Sequence, residues 1–139
     1  MLEQVKNDKI GVDDAVERLR HLPFEDLGFA CIDHHRQIRR GFPEVIFCPG
    51  KATEHIIKIF ESLAAKGNNV LATRATPDVF DALVETGKFP GARYEELARA
   101  ITLEQQELPA SKTLLPIVTA GTADLPVALE AQVTAEIMG

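Results

Sequence analysis

Apolar positions change period along the chain, and the changes divide it into short helices and strands. Val12, Ala15, Val16 and Leu19 recur at i, i+3, i+4 and i+7, the spacing of one helical face. Asp13 and Asp14 fall in the first turn, where the helix dipole favours carboxylates, and Pro23 marks the exit. A weaker turn at Leu2, Val5 and Lys9-Ile10, set apart by Gly11, completes a helical hairpin too short to stand alone. Leu27–Ile32 reads as a strand. Asp33 then suits the N-cap of a short helix, and Gly41 its C′ position.

Val45-Ile46-Phe47 predicts a short buried strand and Val70–Arg74 a second. Between them, Thr53 caps a helix whose Ile56, Ile57, Phe60, Leu63 and Ala64 share a face, with Gly67 closing it. Thr76 caps another, with Pro77 at N1 and Val79, Phe80, Leu83 and Val84 as its stripe, before Gly87. Ala92–Tyr94 and Ala100–Leu103 read as two strands around one helical turn. Residues 104–112 are polar, contain Pro and read as a linker. Leu114–Thr119 is a third apolar strand, and Ala120–Asp124 a small-residue turn. The final helix spaces Leu125, Leu129, Val133 and Ile137 by four.

A strand–turn–helix unit buries its helix against further strands. The expectation is thus a small N-terminal α/β domain over 1–108, followed at 109–139 by the first unit of a truncated parallel-sheet domain. The alternative is a terminal helix packed on the first domain.

Composition narrows the classes. Of 139 residues 45% are hydrophobic and 26% charged, enough for a folded core. No apolar run approaches a membrane span, and the start MLEQVKNDKI lacks the apolar stretch of a signal peptide. Two cysteines make no disulfide scaffold, so a reducing cytoplasm is expected, with no membrane association. The net charge of −6 argues against a nucleic-acid partner. Residues 31–60 nonetheless carry five basic against three acidic side chains, so an anion site is best sought there.

Within that stretch, Asp33, His34 and His35 are consecutive. On a helix they point ~100° apart and do not face one ion, so no metal site is expected. Arg36, Arg39 and Arg40 share a helical face. They are either solvated or a fork-like site for phosphate or carboxylate. Pro49-Gly50-Lys51 is not a Walker motif, since Val45 and Ala52 stand where Gly and Ser or Thr are required. Gly50 and Lys51 still precede a helix N-terminus, and Arg74 ends a strand where α/β folds present ligand contacts. Thr119, Gly121, Thr122 and Asp124 stand in the order that cradles phosphate, with Asp124 either a cap or an acceptor for a ribose hydroxyl. Cys31 and Cys48 read as buried core thiols, and spacing names no nucleophile–base pair.

The run Leu22–Arg36 (LPFEDLGFACIDHHR), Arg40–Phe47 (RGFPEVIF), Gly50-Lys51, Leu71–Arg74 (LATR) and Val118–Val127 (VTAGTADLPV) resembles the N-terminal region of the LarB family. These are pyridinium-3,5-biscarboxylic acid mononucleotide synthases, whose second half is related to PurE, the aminoimidazole ribonucleotide carboxylase. The resemblance implies a flavodoxin-like second domain. It also implies carboxylation of nicotinic acid adenine dinucleotide with CO2 or bicarbonate and release of AMP, feeding the nickel-pincer cofactor of lactate racemase. A homo-oligomer is implied, with no tightly bound cofactor in this part and Mg2+ possible in the full enzyme. The family's nucleophilic cysteine is expected beyond Gly139, so this piece alone is expected to be inactive. Where the family turn has Ser this chain has Ala123, which removes one hydroxyl. A PurE-type enzyme or a non-catalytic nucleotide-binding module are the alternatives.

Overall fold

The computed structural model describes residues 2–20, 24–36, 40–108 and 113–139. The helical hairpin is α1 (Leu2–Lys6) and α2 (Val12–Arg20), with Ala15 buried and Val12 and Val16 exposed. The expected strand at 27–32 is instead the turn and second arm of a β-hairpin, β1 (Phe24–Asp26) and β2 (Cys31–Asp33). The cause is local. Asp26 Oδ1 accepts the Gly28 N–H at 2.7 Å, and Gly28 adopts φ +81°, a left-handed conformation that glycine takes without penalty.

The centre is a four-stranded sheet in the order β3 (Val45–Phe47), β4 (Val70–Thr73), β6 (Ala100–Leu103), β5 (Arg93–Glu95). β3 and β4 are parallel; β4–β6 and β6–β5 are antiparallel. The turn between β5 and β6 is hydrogen-bonded from Arg99 N to Glu96 O and is not helical. α3 (Thr53–Ala64) connects β3 to β4, and α4 (Pro77–Glu85) follows β4.

Side-chain alternation assigns the two faces of the sheet. Ile46, Cys48, Val70, Ala72, Ile101 and Leu103 pack on one face with Ile56, Ile59, Phe60 and Leu63 of α3 and with Val79 and Leu83 of α4. Ile32 brings the hairpin into the same core. Leu71, Ala98 and Ala100 lie on the other face, beneath Leu129, Val133 and Ile137 of α5 (Leu125–Met138). The molecule is therefore layered α/β/α. The expected stripe on α3 is present, and Ile59 belongs to it as well. Thr53 is the first helical residue and not the cap: Ala52 holds that position, with no side-chain cap.

Residues 114–119, expected as a strand, lie outside every strand described. Leu114 and Val118 are 95% and 89% exposed. An extended segment gains backbone hydrogen bonds only from a neighbour, and Pro116 has no N–H to give. Residues 109–112 of the expected linker lie outside the described residues. Its start is anchored: Asn69 Oδ1 accepts the N–H groups of Gln105 and Gln106, each at 2.8 Å. No helix among the described residues is long and apolar enough to cross a membrane.

Candidate anion-binding site

The parallel strands β3 and β4 end side by side, with Cys48 N donating to Thr73 O at 3.1 Å. Past β3 the chain turns through Gly50, at φ +78°, and Lys51 N bonds back to Cys48 O at 3.0 Å. This turn returns Lys51 Nζ to Phe47 O, which it reaches at 2.8 Å. Past β4, Arg74 lays its guanidinium 5.5 Å from the centre of the Phe47 ring, a cation–π distance. Its Nε lies 3.5 Å from Glu130 Oε2 of α5.

A third cation arrives from the β5–β6 turn. Arg99 O accepts the Ala75 N–H at 2.8 Å, and the Tyr94 hydroxyl donates to Ala75 O at 3.2 Å, so the two turns lock together. Arg74 and Arg99 both have φ 53°. Left-handed backbone costs a non-glycine residue about 1 kcal/mol, and such strain collects at ligand sites. Burial pushes the Cys48 thiol up to about 11, while the charges of Lys51 and Arg99 draw it the other way.

Helix orientation adds to this potential. α3 and α4 begin where β3 and β4 end, and neither has a side-chain cap. α5 contacts Arg74 through Glu130 in its second turn and Asn69, which precedes β4, through Ile137 near its end. It therefore runs antiparallel to β4 and starts at the same edge. Three helix N-termini and three cations thus share one end of the sheet.

The turn before α5 is exposed throughout. Thr119 Oγ1 donates to Gly121 O at 3.5 Å, Asp124 N donates to the same oxygen at 3.2 Å, and Thr122–Asp124 form a 3-10 turn. Gly121, Thr122 and Asp124 thus lie at the N-terminal end of α5, which continues to Glu130 beside Arg74. Asp124 stands at the cap position and makes no side-chain cap bond.

The arginine cluster is placed differently. Arg36 Nη1 lies 4.0 Å from Glu44 Oε1, at the start of β3, while Lys51 and Arg74 follow the strand exits. Arg40 is exposed, and Arg39 lies outside the described residues. Asp33, the last residue of β2, accepts the His35 N–H on Oδ1 at 3.1 Å in a local turn; the short helix expected after it includes residues 37–39, outside the described residues. Among the described residues no three His, Cys, Asp or Glu side chains gather as a metal site. Cys48 is buried as expected. Cys31 is exposed, because strand alternation on the outer hairpin turns Ile32 inward and Cys31 outward.

One polar cluster had no sequence signal. Glu25 Oε2 accepts the Ser62 hydroxyl at 2.6 Å and lies 2.7 Å from His34 Nε2. The Ser62 bond, then the His34 bond, hold the Glu25 carboxyl below its ordinary range. The order is Ser–Glu–His, so no imidazole is aimed at the hydroxyl, and the cluster fastens the hairpin to α3. Arg99 and Glu130 were likewise unread. Arg99 ends the turn between β5 and β6, and Glu130 is one acid within a helix.

An uncharacterized protein of Methanocaldococcus jannaschii is 32% identical over the whole of this chain, which spans 56% of that curated relative's length. Residues 24–106, from β1 to just past β6, match the LarB/PurE-like N-terminal domain. The matched region contains Lys51, Arg74 and Arg99 together with the sheet that assembles them, and the chain belongs to this LarB/PurE-like N-terminal domain family.

Proposed function

We propose that this chain is the N-terminal part of an enzyme that carboxylates the pyridinium ring of nicotinic acid adenine dinucleotide. In this reading CO2 forms a carbon–carbon bond to the ring, and the ring carbon gives up its proton. Water cleaves the phosphoanhydride, leaving pyridinium-3,5-biscarboxylic acid mononucleotide and AMP. The reacting cysteine belongs to the second domain, and the enzyme works as a cytoplasmic homo-oligomer. The part assigned to this chain is to hold a phosphate of the dinucleotide at the sheet edge. Lys51 and Arg74 supply charge there, and Gly121, Thr122 and Asp124 the turn.

The observation that supports this is that Lys51, Arg74 and Arg99 and the N-termini of three helices all stand past the same end of the sheet in an acidic protein. The test is turnover by the full-length protein. Nicotinic acid adenine dinucleotide should be consumed with release of AMP, and Lys51→Ala and Arg74→Ala should each raise KM about tenfold or more, the loss of one charge-assisted contact. Turnover of aminoimidazole ribonucleotide in its place would reassign the enzyme to the PurE type. Nucleotide binding without turnover by the intact protein would make it a binding module.

A further inference from the structure

The contact between Arg74 and Glu130 joins the cationic edge to α5, and its geometry is loose for a structural ion pair. Its closest approach, Nε to Oε2, is 3.5 Å, where charge-assisted bonds close to about 2.8 Å. The Arg74 side chain is 52% exposed and that of Glu130 21%. Beside the pair opens a groove of ≈ 770 Å³, whose apolar wall includes Phe42, Leu115, Val127 and Met138. A carboxylate thus stands on the guanidinium that the edge offers to an anion, with open space next to it.

We propose that Glu130 is an internal occupant of the anion site. An oxyanion of the phosphate class arriving at Lys51, Arg74 and Arg99 competes with the Glu130 carboxylate for Arg74. Ligand binding and the docking of the first turns of α5 then oppose one another. The proposal rests on the reading of this edge as a phosphate site.

Charge dictates the competition. Two anions on one guanidinium repel at short range, and the phosphate, carrying more charge and meeting Lys51 and Arg99 as well, prevails. Structure dictates where the response goes. The far end of α5 is tied by Ile137, which is buried against Leu71, Ala98 and Ala100, and whose carbonyl accepts from Asn69 Nδ2 at 3.5 Å. The near end carries exposed Leu125 and Val127 and has Glu130 as its polar tie to the sheet edge. The near turns loosen while the far turns stay. By linkage, whatever pulls Glu130 away tightens the anion site by the same factor.

The test is a nuclear magnetic resonance titration of the 139-residue chain and its Glu130→Gln variant with inorganic phosphate, repeated with AMP. Phosphate should shift the amides of Lys51, Arg74 and Arg99 in both proteins. It should bind the variant about fivefold more tightly, the scale of one partly exposed ion pair. In the unsubstituted chain alone it should also speed hydrogen exchange over residues 125–131. Shifts at Lys51 and Arg74 with equal affinity in the two proteins would overturn the competition and leave the anion site standing. Absence of shifts at the edge in both proteins would overturn the anion site and the competition with it.

Discussion

The two cysteines show how far one position along a strand alters a side chain's chemistry. Cys48 is 5% exposed, and burial holds its thiol near 11. Its folded value lies above the ordinary 9.0, so the stability it contributes is intact below pH 9 and is lost as pH rises through 11. Cys31 faces solvent. An aromatic disulfide reagent at pH 8 should therefore titrate one thiol in the native chain, at Cys31, and two in denaturant; mass mapping of the labelled peptides checks the assignment. At this scale the places of Lys51 and Arg74 past the strand exits were legible, because strand ends and helix starts are visible in residue spacing. It did not reveal Arg99, whose left-handed turn carries no glycine to announce it, nor Glu130, whose meaning depends on where α5 docks. Alternation would have turned Cys31 outward had the glycine turn at 28 been read as the end of one arm.

Among the elements, helices were more legible than strands. α3 and α4 carry their own apolar stripes and their Pro and Gly punctuation, and both fold close to the expected bounds. Strands of three or four residues hold too little pattern to fix either their limits or their partners. Leu114–Thr119 is the sharpest case, since apolar composition makes a strand only where another strand is at hand to pair. Asn69 is the polar joint between elements. Buried at 8% exposure, it accepts from Gln105 and Gln106 and donates to Gln106 O at 3.1 Å and Ile137 O at 3.5 Å. Replacing it by Ala strands two N–H groups, at roughly 1–3 kcal/mol each before relaxation. Asn69→Ala should thus lower unfolding free energy by about 2–4 kcal/mol in a denaturant titration. It should also speed amide exchange at Gln105, Gln106 and the last turn of α5.

In the whole molecule, α5 packs on the second face of the sheet and makes the third layer. What stays uncovered is the segment leading into the helix: Leu114, Leu115 and Val118, with Val127 beyond them, are 61–95% exposed. Exposed apolar runs of this kind favour association, whether with other protein or between copies of the chain. Light scattering over a concentration series should show self-association of the 139-residue chain, reduced by the paired change Leu115→Asp with Val118→Asp. A monomer at every concentration before substitution would count against it. Exposure of that run has one further consequence. Six residues rich in β-formers, Leu114–Thr119, carry no charge and would satisfy the requirements of an amyloid-like zipper but for Pro116 at their centre. Lacking an N–H, Pro116 breaks the ladder that stacked copies would need, and so acts as the gatekeeper of this exposed apolar segment.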